Sequence, residues 1–428
     1  MITAKVFAGK HYAVYGLARS GLATVEALLA SGARVTAWDG KQDARARAPA
    51  GAEIANLDEA DLTGFDSLVV TPGLPLNRHP IAARAREAGI EIIGDIELFA
   101  RARPELPPHK VVGITGTNGK STTTALVHHI LKTAGVAATM GGNIGLPILA
   151  QDPLPEGGVY VLELSSYQID LTQSLDCDVA VLLNITPDHL DRYESFEAYR
   201  DSKLRLFQMQ SGNHVAVDAT EDPYLLTWFH GQRTGASQYH TSTERMCDLD
   251  QANWPALQGP HNAQNVAAAL AAALECDVPY ETRMQALRTY PGLPHRMERI
   301  RDRNGVLFVN DSKATNPTAT APALAAFERI RWICGGQAKT DDLDECAPHF
   351  GHVRCAYTIG DAADLFERLL SPHIPVKNCG KLDAAVRSAA ADSEAGDTVL
   401  LSPACASFDQ FRDFEDRGDQ FRDLVGAL

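Results

Sequence analysis

The sequence predicts an α/β protein of three domains on mostly parallel sheets, Rossmann-like at both ends. Three observations carry that expectation. Short β-branched or apolar runs alternate with alanine-rich amphipathic stretches almost throughout, which is the pattern of βαβ units. The length, 428 residues, suits two or three domains. Proline-rich joints, PELPPHK (Pro104–Lys110) and PGLPHRME (Pro291–Glu298), divide the alternation into blocks at about 1–98, 99–292 and 293–428.

In the first block, Tyr12–Tyr15, Arg34–Trp38, Ser67–Val70 and Glu91–Ile93 read as strands, and Leu22–Ala30 as a helix. The first turn, VYGLARSG, places Gly16, Ala18 and Gly21 where a dinucleotide fingerprint has its three glycines, and Asp39 ends the next strand. Such a turn suits any diphosphate, in NAD, FAD or a nucleotide sugar. LVVTPGLP, with Gly73, offers a second loop on the same sheet edge.

The second block opens with KVVGITGTNGKST, read as strand Val111–Ile114, a glycine-rich turn, and a helix from Thr122 to about Thr133. That context makes the block P-loop ATPase-like, because a helix N-terminus with free N–H groups holds phosphate. The strict GxxxxGK[ST] pattern fails at Ile114, but the core Gly116-x-x-Gly119-Lys120-Ser121 is intact. Strands Val159–Leu164 and Val179–Asn184 carry Glu163 and His189 to the same edge. A carboxylate there is a natural Mg²⁺ ligand. In SFEAYRDSKLRLF, Lys203 falls on one helical stripe with Phe196, Tyr199 and Phe207. Two readings stay open for it: a snorkelling surface lysine, or a buried amine of depressed pKa.

The third block carries strands near Val306–Val309, Ile330–Cys334, Ala356–Ile359 and Thr398–Leu401. Three of them end in VNDSKATNP, ICGGQAK and LLSPACASFDQF, which set hydroxyls and lysines together as an anion pocket.

Composition narrows the class. The chain is 45% hydrophobic and 22% charged, with a formal net charge of -15. That balance disfavours a nucleic-acid partner. No secretory signal or membrane-length apolar run is seen, so a cytoplasmic protein without membrane insertion is expected. Eight cysteines lie scattered without a CxxC pair, as in an intracellular protein.

GTNGKST, LELSSYQ, NITPDHLDRY, the lysine of YRDSK, HNAQN, HR, NDSKATN, GGQAK and SPACASFDQF follow one another in this order. The series resembles the Mur ligases over nearly the whole chain, and among them the branch that joins UDP-N-acetylmuramoyl-L-alanine to D-glutamate. The resemblance implies an ATP-dependent amide-forming ligase of peptidoglycan synthesis, working with two Mg²⁺ ions (Mn²⁺ as a substitute), and expected to be a monomer. It implies that Gly116, Thr117, Asn118, Gly119, Lys120, Ser121 and Thr122 hold ATP phosphates, with Asn265, Arg296 and Asp311 also on ATP. Ser121 and Glu163 would bind one Mg²⁺; His189 and a carbamylated Lys203 would bind the second. Lys120, Glu163, His189 and Lys203 form the implied catalytic set. Lys313, Thr315, Lys339, Ser407 and Phe414 would surround glutamate, and Asn143 and His189 would meet the muramoyl-alanine end. Arg19, Ser20, Asp39, Gly40 and Lys41 would hold the uridine diphosphate. The acceptor's D configuration comes from the resemblance alone. An NAD-linked oxidoreductase leaves the phosphate loop unexplained, and an ATP-driven switch would hydrolyse ATP without an amino acid.

Overall fold

The computed structural model describes residues 1–189, 191–220, 222–231, 237–241 and 251–428. Among the described residues three sheets organise the chain, all but one strand parallel to its neighbours. It divides into two compact units, one of Met1–Leu249 with Gln264–Leu287, the other of Asp250–Ala263 with Arg288–Leu428.

The first unit holds two sheets. The first sheet orders its strands Glu53–Ile54, Arg34–Trp38, His11–Tyr15, Ser67–Val70, Glu91–Ile93. Strand order reverses beside His11–Tyr15, so a crevice opens at the carboxyl ends of that strand and Ser67–Val70. Gly16 makes the turn there at φ 98°, and a side chain on Gly21 would collide with the Gly16 carbonyl. This is the tight strand-to-helix packing that the fingerprint predicted, with the helix at Arg19–Ala30.

The second sheet orders Ser237–His240, Val215–Asp218, Val179–Leu182, His109–Thr115, Gly158–Glu163, Ala138–Gly142. Its order reverses at the central strand His109–Thr115, which runs directly into the phosphate loop. That strand is buried from Val111 onward, with strands on both sides. The expected strand Val179–Asn184 stops at Leu182. Asn184 leaves the ladder because its carbonyl accepts the Thr117 N–H at 2.8 Å, so the strand end is diverted to brace the loop. The phosphate-loop helix begins at Lys120, two residues before the expected Thr122.

The second unit holds the third sheet, ordered Glu298–Arg303, Val306–Asn310, Thr398–Leu401, Ile330–Gly335, Val353–Ile359, Val376–Gly380. Glu298–Arg303 is its antiparallel edge. The last strand in sequence, Thr398–Leu401, inserts between Val306–Asn310 and Ile330–Gly335. The three motif-bearing strand ends therefore lie side by side. Among the described residues no helix is long and apolar enough to cross a membrane.

Candidate active site

Within the first unit, glycine geometry shapes a phosphate cradle. Gly116 sits at φ 153° and Gly119, the residue before the helix, at φ 85°. A side chain at Gly119 would collide with the Asn265 Oδ1, and one at Gly116 would reach Leu183 at 3.0 Å. Asn184 fastens the loop twice more: its Oδ1 accepts the Asn118 N–H at 2.8 Å and its Nδ2 donates to the Asn118 carbonyl at 3.2 Å. Lys120 folds back over the loop, its Nζ donating to the carbonyls of Gly116 at 2.9 Å and Thr117 at 2.8 Å. Ser121 is buried at the helix start, and Thr122 follows it partly buried. Thr123 donates its hydroxyl to Asn265 Oδ1 at 3.3 Å, which ties Asn265 to this helix.

Glu163 ends the neighbouring strand, paired in register with Ile114 and Gly142. It is 2% exposed. Its Oε1 accepts from Asn143 Nδ2 at 2.8 Å, while Oε2 is buried without a hydrogen-bond partner among the described residues. A buried, unsatisfied carboxylate oxygen is costly unless a cation or proton joins it. Beside a phosphate cradle that a Cβ would fill, it fits a Mg²⁺-nucleotide.

Lys203 lies in the helix Phe196–Gln208 and is 2% exposed, so of its two readings the buried amine is the one observed. Its Nζ donates to the Gly116 carbonyl at 2.9 Å and stands 4.7 Å from the Tyr199 ring centre. Burial, and then the Lys120 charge, hold its pKa well below the ordinary lysine value. His189 stands at the exposed end of the loop at φ 55°, its ring 5.9 Å from that of Tyr199 and 5.0 Å from that of Tyr167. Desolvation lowers its pKa, as do Lys203 and Lys120, against the opposing Asp188 carboxylate. The neutral imidazole so favoured is the form that ligates metals. Among the described residues no three His, Cys, Asp or Glu side chains cluster as a metal site.

Within the second unit, Asp311 follows the strand Val306–Asn310. Burial pushes its carboxyl up to about 7, against hydrogen bonds from Ser402 Oγ at 2.8 Å and the Met297 N–H at 3.2 Å and the nearby Arg296 charge. Lys313 sets its Nζ 3.8 Å over the Phe414 ring, which places two expected glutamate contacts together. Thr315 is partly buried before the helix Pro317–Ala325, Ser407 is buried, and Lys339 is exposed on its loop. The Lys339 and Ser407 loops pair through Gln337 and Ala406, N–H to carbonyl at 2.9 and 3.0 Å. Cys405, inside this motif, is fully buried, and burial raises its thiol to about 12. The seven described cysteines are unbridged, and Cys247 lies outside the described residues.

Three family models match in order: "Mur ligase MurD-like, N-terminal domain" over residues 10–94, "Mur ligase middle domain" over 114–273, and "Mur ligase, glutamate ligase domain" over 295–405. The UDP-N-acetylmuramoylalanine--D-glutamate ligase of Novosphingobium aromaticivorans is 58% identical, covering 100% of this chain and 97% of that protein. The chain belongs to the Mur ligase family. The enzyme of the same name from Sphingopyxis alaskensis is also 58% identical, with 100% of both chains covered. The solved MurF ligase from Thermotoga maritima, in complex with ADP, has the same fold at TM-score 0.60 and 16% identity, covering 99% of this chain and 97% of that one.

In this Mur ligase the N-terminal expectations land around the first crevice. Arg19 donates to the Gly145 carbonyl at 2.9 Å, beside the loop that carries Asn143. Ser20 lines a small cavity with Thr71 and the buried Asp95, whose carboxyl burial raises to about 6. Asp39 accepts the N–H groups of Leu17 at 2.8 Å and Lys41 at 2.9 Å, so both its oxygens shape the loop. Gly40 and Lys41 are exposed there. Arg417, unforeseen from sequence, is fully buried against the Ser312 and Ala406 loops. Its signal was present: Phe414, Arg417, Phe421 and Val425 recur at helical spacing, a cation on an apolar stripe.

Proposed function

We propose that this Mur ligase joins UDP-N-acetylmuramoyl-L-alanine to D-glutamate in the cytoplasm, using ATP and forming an acyl phosphate. One observation carries the reading. A phosphate cradle, a buried carboxylate with a free oxygen, and a buried lysine of depressed pKa share one sheet edge in a chain that matches such ligases end to end.

A carboxylate resists an amine because it is anionic and lacks a leaving group. Transfer of the ATP γ-phosphoryl to the muramoyl-alanine carboxylate supplies one. The glutamate amine attacks the acyl carbon, phosphate leaves, and the products are the amide, ADP and phosphate. The loop N–H groups and Lys120 hold the phosphates and offset charge on the transferring group. Ser121 and Glu163 would hold one Mg²⁺, and His189 with Lys203 a second; the ions supply further charge neutralisation when bound. Lys203 suits this only if it gains oxygen ligands. Its neutral amine is the form that adds CO₂ to give a carbamate, and burial favours that neutral form. Lys313, Thr315, Lys339, Ser407 and Phe414 receive the glutamate, whose two carboxylates match their cations and hydroxyls.

The test is phosphate release with UDP-N-acetylmuramoyl-L-alanine, ATP and Mg²⁺, comparing D-glutamate, L-glutamate and meso-diaminopimelate. Release that depends on D-glutamate is expected. Equal release without any amino acid would identify an ATP hydrolase instead.

A further inference from the structure

Arg417 lies one turn into the helix Phe414–Ala427 and is 0% exposed. Among the described residues its guanidinium forms no ion pair. Burial lowers its pKa to about 10, partly opposed by Cys405 and Asp409. A buried cation without a bonded anion is costly, so it persists only where its donors are well used. Here they are used on two loops at once. Nε donates to Ser312 Oγ at 2.9 Å and one terminal nitrogen to the Ser312 carbonyl at 2.8 Å. The same nitrogen reaches the Cys405 carbonyl at 3.1 Å, and the other reaches the Ala406 carbonyl at 3.4 Å.

Each contact has a functional neighbour. Ser312 precedes Lys313, and its hydroxyl donates onward to the backbone carbonyl of Phe414, whose ring lies under the Lys313 ammonium, at 2.8 Å. Ala406 precedes Ser407 and is also the residue bridged to Gln337, so the Lys339 loop is held through it. A side chain on Gly336 would come within 3.2 Å of the guanidinium, so that loop passes directly against it. The planar fork of arginine can span acceptors in these directions; a lysine ammonium cannot.

We propose that Arg417 is the positioning residue of the acceptor pocket, locking the NDSKATN, GGQAK and SPACASFDQF loops into the arrangement that binds the amino acid. The inference rests on the function proposed above. It concerns acceptor affinity and leaves ATP and nucleotide-sugar binding aside.

The test is steady-state phosphate release by Arg417→Lys and Ser312→Ala, with the acceptor, ATP and UDP-N-acetylmuramoyl-L-alanine varied in turn. Ser312→Ala removes one leg of the network while leaving the cation, and carries the test alone if Arg417→Lys fails to fold. The acceptor KM should rise about tenfold or more, as expected for losing bonds to a charged group, while the other two KM values stay within about twofold. An unchanged acceptor KM, or an equal rise in all three, overturns the proposal. If wild-type enzyme prefers another amino acid, the choice of D-glutamate fails, and the same comparison on that acceptor still decides the role of Arg417. If it uses no amino acid, both fall.

Discussion

Replacing Lys203 by methionine separates its chemistry from its packing. Methionine keeps an unbranched stem on the buried stripe and removes the amine. The fold loses one hydrogen bond, from Nζ to the Gly116 carbonyl, a contribution of about 0.5–1.5 kcal/mol. That carbonyl is not orphaned, because Lys120 also donates to it at 2.9 Å. Against this stands the cost of the buried amine. Its folded pKa lies well below 10.5, so between the folded and unfolded values the unfolded chain binds more protons than the fold does. The stability cost is about 1.4 kcal/mol for each unit of that depression, is greatest at low pH, and fades as pH rises toward the unfolded value. Lys203→Met should therefore unfold in urea at the same concentration as wild type or higher near pH 7. Its turnover should nevertheless fall by roughly 10²–10³, the scale for losing a charge-stabilising group. Lys203→Ala leaves space, and short carboxylic acids should restore part of its activity. A methionine variant within about threefold of wild-type turnover would refute the assigned role, as would a large loss of stability refute the energetic argument. Absence of rescue would count against the carbamate.

Lys120→Ala should lower turnover by about 10²–10³ or more in the phosphate-release assay while leaving the fold intact. Gly119→Ala places a side chain at φ 85° and against Asn265, so ATP binding measured by titration should weaken by at least about tenfold, with a stability cost of about 1–3 kcal/mol. Asp311 is raised from 3.8 to about 7, so the fold holds its proton longer than the unfolded chain does, and stability falls as pH rises between those values. Asp311→Asn removes that loss, since Ser402 can accept from the amide and donate to Thr320 at 3.2 Å. The variant's advantage in urea unfolding should widen by about 2–3 kcal/mol from pH 5 to pH 8. A constant difference would show that Asp311 does not titrate in this window.

The strands that build the sheet centres were legible because they are buried on both faces and read as continuous apolar runs. Ala138–Gly142 escaped notice because an edge strand of sequence ATMGG has no such run. The phosphate loop was legible despite its missing first glycine. Ile114 can stand there because it is a buried strand residue, and the turn itself begins only at Gly116. What sequence could not supply was the partner of each buried polar group. Arg417 meets Ser312 across 105 positions, and Lys203 meets Gly116 across 87.

Those two residues share one signature, a cation on an apolar helical stripe. The stripe announces burial in both cases, but burial has opposite consequences for the two side chains. An ammonium can shed its proton, so burial turns Lys203 toward reactivity. A guanidinium keeps its charge at pH 7, so burial commits Arg417 to donating every bond it can, and makes it a clamp. Side-chain chemistry therefore separates a reactive cation from an architectural one once helical spacing has shown that both are buried.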